Sequence, residues 1–331
     1  MKKSLIIALG AIALVACTKT SVSYEQTGEI GFAPVVRKNS TKAAVQGTDF
    51  PNQNIKVFGY YDNSMRVGSS YASGNFAVEY LPGVEFAKKG ATWAGATTPY
   101  YWPKTGSMLF AGYSPVDFAG VTFTLASNKF SVAECPQPEF SATKDLLYAG
   151  YTTSVLGGTA PMTFSHALSW VTVKAKAAAA NQIKITNIKF VGLAEKGYSA
   201  GLPAWTVSGT KEQLNVFAPT SAFAVPAAET LVESYENCGL VFPQELTNAE
   251  IVISYEMNNG ANQWFAQAPF VQKLNLLKSG ANTIDKWEAG KHYTYIINFS
   301  AIGEPGSKNE IKINPSITDW TPVTADGISA N

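Results

Sequence analysis

Charge is scarce in this chain. Asp, Glu, Lys and Arg make up 15% of its 331 residues, against roughly 25% in an average soluble domain. The surface must be covered mainly by Ser, Thr, Asn, Gln and Gly. A net charge of +1, with no long basic or acidic run, excludes a nucleic-acid binder that works by neutralising phosphates. Histidine occurs twice and cysteine three times, too few for a zinc centre built from several Cys and His. Catalytic signatures are missing as well: there is no G-x-S-x-G elbow, no H-E-x-x-H, no phosphate-binding glycine loop after a strand and no calcium loop. These absences point to a non-enzymatic protein without a metal or cofactor. An enzyme would need a Ser, an Asp and either His166 or His292 brought together from distant positions.

No apolar run is long enough to cross a bilayer. The longest, Leu5 to Ala16, has 12 residues, whereas a spanning helix needs about 20. Preceded by Lys2 and Lys3, it reads as a secretory leader covering residues 1–16. Its end, Leu14-Val15-Ala16-Cys17, resembles the lipobox of bacterial lipoproteins. That resemblance implies cleavage before Cys17 and acylation of its thiol, which would anchor the mature chain to a membrane through a polar tether, residues 17–27. Cys135 and Cys238 then remain, either as buried thiols or as a disulfide formed after export.

What is abundant is apolar material, 46% of residues, enough for packed cores, and most of it alternates with a period of two, the mark of half-buried strands. Ile30, Phe32 and Val36 share a face; so do Ile55, Val57 and Tyr61, then Val171, Val173 and Ala175, then Tyr293, Tyr295, Ile297 and Phe299, then Ile311, Ile313 and Ile317. One stretch changes phase: Ile183 and Ile185 lie on one face, Ile188 and Phe190 on the other. An extra residue near Asn187, a β-bulge, would restore them to a common face. The turn-forming Gly157-Gly158-Thr159-Ala160-Pro161 separates two strand-rich halves, residues 28–157 and 158–331, each suited to a β-sandwich of about seven strands.

Two clusters admit two readings each. Pro99-Tyr100-Tyr101-Trp102-Pro103 either fills a sandwich core or, if exposed, stacks on sugars. Arg37, Lys38 and Lys42 follow the first mature strand directly, as a solvated loop or as a processing site.

In order and spacing the landmarks resemble the fimbrillin family, pilus subunits and related lipoproteins of Gram-negative anaerobes. The carriers are the lipobox at Cys17, Glu29-Ile30-Gly31-Phe32, Ile55-Lys56-Val57-Phe58-Gly59-Tyr60, Tyr100-Tyr101-Trp102-Pro103, Met108 to Pro115 and Asp145-Leu146-Leu147-Tyr148-Ala149. The second half adds Phe164-Ser165-His166-Ala167-Leu168, Trp287 to Tyr295 and Ile317-Thr318-Asp319-Trp320. The resemblance implies an all-β fold of two tandem transthyretin-like Greek-key sandwiches. It also implies a surface lipoprotein of the outer membrane whose first strand (Ile30, Phe32, Val36) is displaced after proteolysis at Arg37 or Lys38. The strand of another subunit, here Ile311, Ile313 and Ile317, would then fill the groove by β-strand addition. Expected partners are other fimbrial subunits, the processing protease, the membrane reached through the lipid, and a host protein or glycan receptor. The competing expectation is an anchored glycan-binding lipoprotein using the aromatic cluster.

Overall fold

The computed structural model describes residues 28–36, 53–63, 76–142, 144–180, 182–218, 221–232, 239–299 and 311–319. Cys17, Arg37, Lys38, Lys42 and Cys238 lie outside them, and the side chains of Val35 and Val36 are likewise not described.

The fold is all-β, as the period of two requires. In the first half the strands are β1 (Gly31–Val36), β2 (Ile55–Asp62), β3 (Val78–Lys89), β4 (Thr92–Gly95), β5 (Ser107–Ser114), β6 (Val121–Thr124), β7 (Lys129–Pro136), β8 (Leu147–Thr153) and β9 (Thr159–His166). Seven of them close into a barrel in the order β1-β4-β3-β2-β5-β8-β9. Closure is completed by a parallel pairing of β1 with β9, from Gly31 opposite Thr159 to Val36 opposite Phe164. A closed sheet leaves no open edge. Inward-facing Ile30, Phe32, Ile55, Val57, Phe86, Phe110, Met162 and Phe164 form its core. β5 is buried along its whole length, because Met108 and Phe110 point into the barrel while Ala111 and Tyr113 pack under a second sheet.

The Gly157-Gly158 turn is not the boundary between the halves. Both glycines have positive φ, 111° and 67°, a conformation that favours glycine, and they turn β8 back into β9, its antiparallel neighbour. A strand assigned from sequence to the second half thus belongs to the barrel, and the chain crosses over only after His166.

The second half begins with β10 (Ser169–Ala177), β11 (Ile183–Val191), β12 (Lys196–Gly201) and β13 (Ala204–Ser208). β10 runs parallel to Lys291–Phe299, whose other neighbour is Ile311–Asp319, termed here the terminal strand, at the edge of that sheet. β11 pairs with Leu214–Phe217 on one side and Glu250–Asn258 on the other. The two sheets bury Val171, Val173, Tyr295 and Ile297 against Ile185, Ile188, Phe190 and Ile253, a sandwich core. The expected bulge is present. Ile185 pairs with Tyr255 and Asn187 with Ser254, which leaves Thr186 with no residue opposite. Ile183, Ile185, Ile188 and Phe190 are consequently all buried.

A third sheet, ordered β13-β12-β7-β6, takes two strands from each half. The crossover itself is fixed by hydrogen bonds. Ala167 N–H donates to Leu146 O at 2.8 Å, Gly290 N–H to Leu168 O at 2.9 Å, Trp205 Nε1–H to Ala167 O at 2.7 Å and Ser169 Oγ–H to Glu288 O at 2.8 Å. Burial of this segment therefore strands none of those backbone groups.

Candidate functional site

Among the candidate residues, those of the first strand occupy the most consequential position. Ile30 and Phe32 are completely buried. The Phe32 ring meets Phe86 and Phe110 edge to face, with centroids 4.8 and 5.1 Å away, and Trp102 packs on the far side of Phe110 at 5.7 Å. Such T-shaped pairs add to the burial term. Pro34 continues the buried face, so the strand is read inward at positions 30, 32 and 34.

The backbone of this strand is held unevenly. On the β9 side the ladder runs over all of β1. On the other side Ile30 N–H donates to Tyr100 O at 2.6 Å, Trp102 N–H donates to Gly28 O at 3.0 Å, and Phe32 stands opposite Trp93. β4 begins at Thr92, so this second ladder stops before Pro34. N–H groups of alternate residues face the same neighbour, and the row of Ile30 and Phe32 continues to residue 34. Proline has no N–H to offer there, and none is needed.

The aromatic cluster is part of this construction. Trp102 is buried and its Nε1–H donates to Gly158 O at 3.0 Å. Tyr100 and Tyr101 are half-buried, and the Tyr80 hydroxyl donates to Tyr101 O. The segment forms one wall of the slot that β1 fills, and it offers no run of flat exposed rings for a sugar. The support that it lent to glycan capture is therefore lost.

At the other end of the molecule Ile311, Ile313 and Ile317 face the sandwich core from the terminal strand, Ile313 buried and the two others half-buried. Lys312, Asn314, Ser316 and Thr318 are exposed. All nine residues pair with Lys291–Phe299, and Lys291 forms an ion pair with Asp319. The displaced-strand and donor-strand candidates thus lie in separate sheets, and the chain does not bring them together.

Both histidines sit in packed surroundings. His166 points into the barrel, and its Nδ1 lies 2.6 Å from Asp145 Oδ2 with both side chains almost wholly buried. The pair joins the two sequence landmarks around positions 145 and 166. His292 stacks on Trp170 with centroids 3.6 Å apart and planes 10° from parallel, and its Nε2 lies 2.8 Å from Thr172 Oγ1. Burial, aided by the nearby Lys174 ammonium, pulls its pKa from the ordinary 6.5 down to about 4. The unfolded chain therefore binds this proton first, and the stability present above pH 6.5 is lost as pH falls toward 4, by about 3 kcal/mol. Changing His292 to Gln should remove that much of the difference in unfolding free energy between pH 7 and pH 4. Denaturant titrations of both proteins at the two pH values check it, and an unchanged difference would contradict it.

Nearby, Trp287 Nε1–H donates to the Tyr295 hydroxyl at 2.9 Å, and Glu288 N–H to the Tyr293 hydroxyl at 2.9 Å. Burial pushes the Tyr293 phenol up to about 12 and Tyr295 higher still. Both are core tyrosines. Cys135 carries a free thiol, half-buried in β7 beside Gly197, and burial raises its pKa. Among the described residues no three His, Cys, Asp or Glu side chains gather as metal ligands, and no helix is long and apolar enough to cross a membrane.

A barrel closed by its first strand, joined to a β-sandwich through a shared sheet, can be compared with known proteins. Residues 41–320 match the family model described as fimbrillin-like. The chain belongs to that family. This fimbrillin-like protein is similar in fold to a fimbrial protein from Bacteroides vulgatus, with 14% identity, a TM-score of 0.57, and 88% of this chain and 99% of that one covered. A candidate cell adhesion protein from Bacteroides ovatus is comparably similar, with 15% identity, a TM-score of 0.53, and 90% and 99% covered. No curated protein matches by sequence. The family match rests on sequence, and the two solved structures share the fold.

Proposed function

We propose that this fimbrillin-like protein is a non-enzymatic subunit of a fimbria, exported as a lipoprotein anchored to the outer membrane through Cys17. A protease cuts after Arg37, the first strand leaves the barrel, and a strand from another subunit takes its place. The observation that carries this reading is the position of β1. It closes the barrel, it plugs the core with Ile30 and Phe32, and one residue beyond it stands Arg37. Removal of that strand would expose an apolar slot walled by β9 and by Tyr100 to Trp102, with one row of backbone donors and acceptors on each side. Such a slot is a template for β-strand addition, in which the backbone supplies affinity and alternating pockets supply register. Once filled, the barrel is closed again, and the joint lasts as long as the barrel resists unfolding.

Arginine occurs only at positions 37 and 66, so the processing step can be tested cleanly. In an Arg66→Lys background an Arg-specific protease should yield one new N-terminus, at Lys38, and Arg37→Ala should abolish it. Terminal sequencing reads both. An uncut Arg37 in protein that lysine-directed proteases readily nick elsewhere would remove the processing step from the proposal.

A further inference from the structure

The third sheet ends on an open side. β6 is its last strand and pairs with β7 alone; none of the described residues forms a ladder with its other side. Ala133 N–H donates to Gly120 O at 3.0 Å, which sets the alternation along the strand. Thr122 and Thr124 bond to β7, so the N–H and C=O groups of Val121 and Phe123 point to the open side. Edge strands are commonly blunted by a charge, a proline or a bulge. β6 is short, but it reads Val-Thr-Phe-Thr in unbroken register and has none of these.

Beneath the open side lies an aromatic floor. The Phe123 ring stacks on Phe58 of β2 with centroids 5.7 Å apart and stands 6.0 Å from Tyr60. All three rings are half-buried. Phe130 of β7 meets Tyr113 of β5 and Tyr148 of β8, so β7 lies over β5 and β8, and β6 lies over β2. A further strand would lie over β3, the neighbour of β2 in the barrel. There Gly83 has a φ of +70°, and an added Cβ would stand 2.9 Å from Phe58 Cε1. The Phe58 ring thus occupies the space that a side chain would fill. A strand beside β6 would lay alternate side chains on Phe58 and Gly83.

We infer that the β6 edge receives an extended peptide whose apolar residues alternate and whose apolar face ends in a basic side chain. Val121 and Phe123 supply the ladder, and Phe58, Tyr60 and Gly83 supply the floor. The sign of the charge comes from Glu79. It is exposed, stands opposite Tyr60 on the outer face of β3, and takes part in no ion pair among the described residues. Burial, and after it the charge of Glu79, raises the Tyr60 phenol above its ordinary value, so this carboxylate acts on the floor itself. Glu85, farther along β3, is already balanced: Lys56 stands opposite it, and the Asn54 side-chain amide donates to it. A cation over Glu79 gains a partner, whereas an anion there is repelled. The site lies outside the barrel and does not depend on the exchange of β1.

Peptide titration of the uncut chain from Thr18 tests this, because its first strand is still in place. The probe is a fluorescein-labelled peptide, Lys-Thr-Val-Thr-Val-Thr-Lys, whose Lys and Val residues share one face in either direction of binding. Fluorescence anisotropy should show saturable binding. Glu79→Lys should weaken it about fivefold and should strengthen binding of the same peptide with Glu at both ends. Glu79 is exposed, so this change leaves the fold intact. Methylating the backbone nitrogens of the Val residues, or instead those of the Thr residues, reads the ladder, since only one side of an added strand meets β6. One methylated peptide should lose at least about tenfold in affinity, and the other should bind as before. No saturable binding, an affinity that Glu79→Lys leaves unchanged, or equal affinities of the two methylated peptides would overturn the inference.

Discussion

Phe32→Ala should lower the stability of the uncut protein by about 3–5 kcal/mol, and should cost nothing once the chain has been cut and its first strand replaced by another. The ring is fully buried between Phe86 and Phe110, so its loss leaves a cavity in the barrel core and removes two edge-to-face contacts. In the exchanged state residue 32 is no longer part of the barrel. Denaturant unfolding, followed through Trp93 and Trp102 on the barrel wall, reads both states. Unequal costs before and after exchange identify β1 as the segment that departs. An equal loss in both states would mean that Phe32 stays in place and that processing, if it occurs, does not open the slot.

Deleting Thr294 should abolish folding of the second half, whereas deleting Thr186 should leave it folded. Thr186 is the residue with none opposite it in the pairing of β11 with Glu250–Asn258. Without it the ladder becomes regular, and Ile183, Ile185, Ile188 and Phe190 stay on the inner face. Thr294 stands in the unbroken pairing of Lys291–Phe299 with β10. Its loss turns Tyr295, Ile297 and Phe299 outward and Asn298 inward. Each lost apolar side chain is worth roughly 1.5–3 kcal/mol, and an unpaired amide inside a sandwich costs further. Their sum reaches the ~5–15 kcal/mol that stabilises a typical domain. Circular dichroism and near-ultraviolet spectra of the two deletion variants separate the cases. A Thr294-deletion variant with native spectra and an unchanged unfolding midpoint would show that the strand slips its register without penalty.

Local pattern made much of this fold legible. Alternation placed the β10 and Lys291–Phe299 strands and their inward faces, and the phase change around Asn187 located a bulge that the pairing confirms. The same alternation identified Ile30 and Phe32 as inward. What stayed hidden was set by partners far apart in sequence. A parallel ladder between β1 and β9, about 130 residues apart, leaves no mark in either segment. The glycine turn at 157–158 looks the same inside a barrel as between domains, and only the pairing of β8 with β9 shows that it lies within the first half. The Asp145–His166 pair was present as two separate landmarks, and only the β8–β9 pairing brings them to 2.6 Å. The role of Pro34 was hidden for a subtler reason. Its meaning depends on where β4 ends, a fact about its neighbour.

The central claim is that cutting after Arg37 releases the first strand and that assembly depends on this release. The most direct measurement follows both events in one reaction. Protein beginning at Thr18 is treated with an Arg-specific protease in the Arg66→Lys background. Free peptide ending at Arg37 is quantified by mass spectrometry, and oligomers are resolved on denaturing gels without boiling. Peptide release in step with a ladder of resistant oligomers is the predicted result. Oligomers that appear while the peptide remains bound, or complete release with no oligomer even when intact terminal strand is supplied in excess, would contradict it.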